Sequence, residues 1–169
     1  MKQGNAFVVV GVAPRGLAGV LTTAAGFAEH FGAELVCVSV DASRYTVRHE
    51  PDGRVVSMPI DSDLAEEGVE EFNPELRAAI ARALDRQSVS WSVRALAGGP
   101  AQEIARLADE LDAAMIVVGT RDPGIRGSLH EFFNGSVAVQ LAHRQHRPVV
   151  VVPLHAVSAG GELPWQVEE

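Results

Sequence analysis

VVGTRDPGIRGSLHEFFNGSVA, residues Val117 to Ala138, is the stretch on which the reading of this sequence turns. It leaves a β-branched apolar run, passes Gly119, Gly124, Gly127 and Gly135 together with Arg121, Arg126 and His130, and re-enters helix-compatible sequence at Ser136. Two uses of such a stretch compete. Glycines let a phosphate approach backbone amides near a helix N-terminus with no side chain in the way. In that use Ser136 adds a hydroxyl donor, and Arg121 and Arg126 add charge. Alternatively, Gly124 and Gly127 only permit turns, while Asn134 or Ser136 caps the following helix. Location favours a functional role, because ligands of open α/β sheets lie beyond the carboxyl ends of the strands, where strand order reverses.

Outward from this stretch, strands and helices alternate. AAMIVVG precedes it as a fourth strand, and PVVVVP follows as a fifth, between Pro148 and Pro153. A helix near residues Asn134 to Gln145 lies between the two. Upstream, Gly99-Pro100 opens a helix with Ile104, Leu107, Ala108 and Leu111 inward, and SVSWSVRAL alternates Val89, Trp91 and Val93 as a third strand. AFVVVGV (Ala6 to Val12) and AELVCVSV (Ala33 to Val40) read as the first two strands, buried on both faces. Between them Pro14 suits a first helical turn, and Leu17, Val20, Leu21, Ala24, Phe27, Ala28 and Phe31 recur at helical spacing up to Gly32. The pattern predicts an α/β fold: a five-stranded, mostly parallel, Rossmann-like sheet with helices on both faces. One domain spans residues 1–169, with its core at about 6–153 and an irregular tail over 154–169.

The middle of the chain departs from this alternation. Tyr45/Val47 and Val55/Val56 flank Glu50-Pro51-Asp52-Gly53, a good turn sequence, so Tyr45 to Met58 is expected to form a β-hairpin outside the main sheet. Asp61, Asp63, Glu66, Glu67, Glu70, Glu71 and Glu75 then crowd together, which reads as a solvated loop and first helical turn. Asn73-Pro74 begins the next helix as N-cap and first position, with Leu76, Ile80, Ala83 and Leu84 buried.

A net charge of −8 disfavours a nucleic-acid partner, which calls for a basic face. No apolar run approaches the roughly 18 residues of a membrane span. The N-terminal residues do not read as a signal peptide. The lone Cys37 reads as a small buried hydrophobe. A cytoplasmic protein is the expectation.

The phrases VVVGVAPRGLAGVLTTAAGFAEHFGAELVCVSV (Val8 to Val40), DAAMIVVGTRDPGIRG (Asp112 to Gly127) and NGSVAVQLAHRQHRPVVVVP (Asn134 to Pro153) resemble the universal stress protein family, over about residues 6 to 153. The resemblance implies an adenine nucleotide alpha hydrolase-like fold, a non-enzymatic role in stress response, and ATP or another adenine nucleotide as ligand. It places a nucleotide site at Val12, Ala13, Val40, Gly119, Arg121, Gly124, Gly127, Gly135, Ser136 and Val137. It also implies a homodimer built on the fifth strand, through Val149, Val150, Val151 and Val152.

In the nucleotide-binding branch of that family the loop reads G-x-x-G, nine residues, then G-S, and an aspartate after the first strand contacts the adenosine. Here Asp122 stands at the second glycine's place when counting starts from Gly119, and twelve residues then precede Gly135. Counting from Gly124 and Gly127 leaves seven. Ala13 stands where the aspartate is expected, so nucleotide binding is predicted to be weak or lost. Asp41, just after the second strand, is placed to reach a ribose or to start a turn.

Neither a catalytic nor a metal site is expected. NGSVA lacks the second glycine of a nucleophile elbow. His143 and His146 suit a helix C-terminus better than a metal, and His130 has no partner nucleophile. Trp91 and Trp165 read as core and tail-docking residues. Three functional readings remain: a stress-response homodimer with a degenerate nucleotide site, a protein-interaction module of the same fold, and a flavin- or nucleotide-dependent enzyme of similar topology.

Overall fold

The computed structural model describes residues 6–61, 66–120 and 136–154. The main sheet holds β1 (Ala6–Gly11), β2 (Ala33–Asp41), β6 (Trp91–Ala97), β7 (Met115–Gly119) and β8 (Val149–Val152), in the order β6-β2-β1-β7-β8. All four pairings are parallel. α1 (Leu17–Phe31) and α2 (Pro74–Leu84) cover one face, packing on Val8, Val10, Leu35 and Val117. α3 (Pro100–Glu110) and α4 (Val137–Arg144) cover the other, on Val9, Val36, Leu96 and Ile116. Alternate residues of each strand therefore feed opposite cores, which is why these strands are continuous valine-rich runs. The five-stranded α/β fold expected from the sequence is present, and it is wholly rather than mostly parallel.

Helix boundaries follow local chemistry. Asn73 caps α2, its side-chain oxygen accepting from Leu76 N–H at 3.0 Å, with Pro74 as the first helical residue. α1 begins at Leu17 rather than at Pro14, because Gly16 adopts a left-handed φ of 69° that breaks the helical path. Gly32 ends α1 in the same region of backbone space, its N–H reaching Ala28 and Glu29 carbonyls. Phe31 is 53 % exposed, against the inward expectation. It closes α1 beside the Ala6–Ala33 pair that begins the β1–β2 ladder, at the sheet's amino end.

The insert is a second, antiparallel sheet of β3 (Arg44–His49), β4 (Val55–Pro59) and β5 (Gly68–Val69). The expected hairpin is there. Gly53 N–H donates to Glu50 O across the turn at 3.0 Å, with Gly53 at φ 83°. The reading of the acidic stretch as solvated loop needs correction: Val69 pairs with Val56, and Gly68 with Ser57. Hairpin arginines account for this. Arg44 lies 2.9 Å from Glu70 and also donates to the buried Ser57 hydroxyl, while Arg48 lies 2.9 Å from Glu67. The Ser57 hydroxyl in turn donates to Glu70. Glu67 and Glu70, which look repulsive in one dimension, are paired in three. Thr46 Oγ1 donates to Ala97 O at 2.7 Å and Val55 joins the α3-side core, which seats the insert at the carboxyl end of β6.

Candidate functional site

Strand order reverses beside β1: the chain passes to β2 and β6 on one side, and to β7 and β8 on the other. At the carboxyl ends of these strands lies a cavity of about 250 Å³. Val12 and Ala13 reach it as the chain leaves β1, Val38 and Val40 from β2, and Gly119 and Thr120 from the end of β7. Pro100 and Ile104 of α3 and Val137 of α4 line it too. With Leu17, the first residue of α1, three helices start at its rim. Val12 N–H donates to Val38 O at 2.8 Å, which carries the β1–β2 ladder into the cavity wall.

Small residues keep the crevice open. A methyl group at Gly11 would sit 3.3 Å from both Ile104 Cδ1 and Val118 Cγ1, tighter than ordinary packing. The lining is aliphatic apart from Arg15 and Thr120. Thr120 N–H donates to Val152 O at 2.9 Å, and its Oγ1 accepts from Leu154 N–H at 2.9 Å. A hydroxyl that accepts one bond keeps its own hydrogen to donate.

Of the ten residues that the resemblance places at a nucleotide site, Val12, Ala13, Val40, Gly119 and Val137 come together in this one cavity. Ser136 stands beside them as the N-cap of α4, its hydroxyl accepting from Val139 N–H at 3.5 Å. Arg121, Gly124, Gly127 and Gly135 lie outside the described residues, as do Asp122, His130, Asn134 and Trp165. Asp41 ends β2, and its side chain serves the turn that follows and does not line the crevice. Its Oδ1 accepts from the Ser43 hydroxyl at 2.6 Å and from Ser43 N–H at 2.8 Å, and these bonds hold the carboxyl below the usual aspartate value. Arg15, Pro100, Ile104, Thr120 and Leu154 line the cavity but were not read as site residues; Thr120, directly after Gly119, and Pro100, at a helix start, carried a positional signal.

Elsewhere, His143 in the last turn of α4 and His146 beyond it are both exposed. Among the described residues there is no cluster of three or more His, Cys, Asp or Glu side chains. Cys37 is fully buried, and burial pushes its thiol up to about 12. Trp91 packs against the α1–α2 core, with the Arg77 guanidinium 5.7 Å from its ring centre. No helix among the described residues is long and apolar enough to cross a membrane.

The universal stress protein family model matches residues 8–153. The chain belongs to the universal stress protein family. Solved universal stress proteins share its fold at low sequence identity. One, crystallised in complex with cAMP, is 21 % identical with a TM-score of 0.58, over 90 % of this chain and 100 % of that one. Another, from Archaeoglobus fulgidus in complex with dAMP, is 20 % identical with a TM-score of 0.54, over 88 % and 98 %. A third, an Arabidopsis thaliana family protein with AMP bound, is 13 % identical with a TM-score of 0.53, over 89 % and 93 %. A comparison with curated protein sequences gave no match.

Proposed function

We propose that this universal stress protein is a non-enzymatic, cytoplasmic homodimer whose crevice binds an adenine nucleotide weakly. The observation that carries the reading is the meeting of Val12, Ala13, Val40, Gly119 and Val137 in one cavity at the point of strand-order reversal. Family members of the same fold were crystallised with cAMP, dAMP and AMP, which supports an adenine ligand. The aliphatic walls suit a planar base, and the described lining favours binding over chemistry.

Weakness follows from Ala13, which is exposed at the rim and offers no side-chain acceptor. A charge-assisted hydrogen bond is worth about 1.5–3 kcal/mol, so its lack costs roughly tenfold to hundredfold in affinity. Calorimetry with ATP and Mg²⁺ tests this. The native protein should bind more weakly than micromolar, and Ala13→Asp should recover about tenfold or more. Submicromolar binding by the native protein would overturn the claim of weakness.

The homodimer reading rests on β8. It is an edge strand: the Val152 carbonyl accepts from Thr120, just past β7, and the Pro148 carbonyl, just before β8, accepts from Ile116 of β7. Alternate residues of a strand turn their N–H and C=O to opposite sides, so Val149 and Val151 direct theirs to the open edge. Val151 is also 45 % exposed. A second copy, antiparallel about a two-fold axis, would satisfy those groups.

The interaction-module reading keeps one observation in its favour. Tyr45 and Val69 are exposed, and by register they stand on one face of the insert with Met58 and Val56. Tyr45 and Val69 remain exposed over the buried Val56 whether or not the crevice is filled.

A further inference from the structure

After Pro153 the chain turns back, and Leu154 enters the crevice. Its backbone N–H is held by Thr120 Oγ1 at 2.9 Å. Its side chain lies against two bare stretches of backbone. A Cβ at Gly16 would fall 2.4 Å from Leu154 Cδ2, and one at Gly119 would fall 3.2 Å from the same atom. Gly16 moreover sits at φ +69°, where side chains are strained. The loop before α1, the end of β7 and the exit from β8 therefore build a socket for a single leucine. That leucine packs on the α1-side core and forms part of the crevice wall.

We propose that Leu154 is a specificity-determining residue: backed by Gly16, it fills the Gly119 end of the crevice and limits the ligand to a nucleoside or nucleoside monophosphate. The inference rests on the nucleotide reading above and deepens it. With Leu154 in place the cavity measures about 250 Å³. Its walls among the described residues are aliphatic apart from Arg15 and Thr120, which suits a base and sugar better than a triphosphate tail. The other end, at Val38 and Val40, stays open to the base. Thr120 already lines this cavity, and removing the leucine side chain widens the space beside Gly119 and Thr120, whose hydroxyl is a donor suited to phosphate oxygen.

The test is calorimetric titration of adenosine, AMP and ATP into the native protein, Leu154→Ala and Leu154→Val, with thermal melting to confirm folding. The native protein should bind AMP more tightly than ATP, and equal or tighter binding of ATP overturns the inference. Leu154→Ala should shift the ATP-to-AMP affinity ratio towards ATP by about tenfold or more, since a pocket discriminates by that factor for a methylene-sized misfit. Leu154→Val should shift it less, in the same direction, and decides the matter alone if the alanine variant fails to fold. A merely structural leucine would lower the melting temperature and leave the ratio unchanged, which overturns this inference while the nucleotide reading stands. No binding of any of the three ligands by any folded form overturns both.

Discussion

Replacing Gly16 with alanine should destabilise the protein by two separable effects, and only one of them depends on Leu154. The left-handed φ of 69° penalises any side chain, at about 1–2 kcal/mol. The added methyl group would also meet Leu154 at 2.4–2.9 Å, and overpacking of this kind costs about 1–3 kcal/mol. Leucine is half-buried here and can retreat, which puts the crowding cost towards the low end of that range. Gly16→Ala alone should therefore cost about 2–4 kcal/mol in total. In a Leu154→Ala background the crowding disappears and only the backbone penalty of about 1–2 kcal/mol remains. Urea unfolding followed by circular dichroism, over the full double-mutant cycle, measures the difference. A coupling of about 1–2 kcal/mol is expected. Additivity within about 0.5 kcal/mol would refute the packing of Leu154 on Gly16 and remove the basis for its role in the crevice.

Val151→Pro should weaken the proposed dimer, because its N–H faces the open edge and not β7. Light scattering at micromolar concentration should find a dimer for the native chain and a monomer for the variant; a native monomer would discard the strand-pairing proposal. Cys37, with its thiol raised to about 12 by burial, should resist a thiol reagent at neutral pH and react fully in urea. Rapid labelling of the folded protein would mean that β2 is not buried on both faces.

Much of the fold was legible because apolar, valine-rich runs such as AFVVVGV and AELVCVSV suit a doubly covered sheet. Helix starts were legible where side-chain chemistry fixes them, as at Asn73-Pro74 and Gly99-Pro100. The start of α1 was not. Pro14 is a good first-turn residue, yet a left-handed glycine two positions later overrides it. β5 was invisible for another reason: two residues have no periodicity, and Glu67 and Glu70 are held by Arg48 and Arg44, each more than fifteen residues away in sequence. The crevice divides in the same way. Gly119 and Val137 are marked by their place at the end of a strand and the start of a helix. Ile104 and Leu154 are aliphatic residues like any others until the fold brings them to one wall.

The central claim, that an adenine nucleotide occupies the crevice at the strand-order reversal, is tested most directly by following backbone amide resonances during titration with AMP. The account predicts saturable shifts concentrated at Gly11, Val12, Val40, Gly119, Thr120 and Val137, with a dissociation constant weaker than micromolar. Shifts confined to β8 or the β3–β4 hairpin, or none at millimolar AMP, would contradict it.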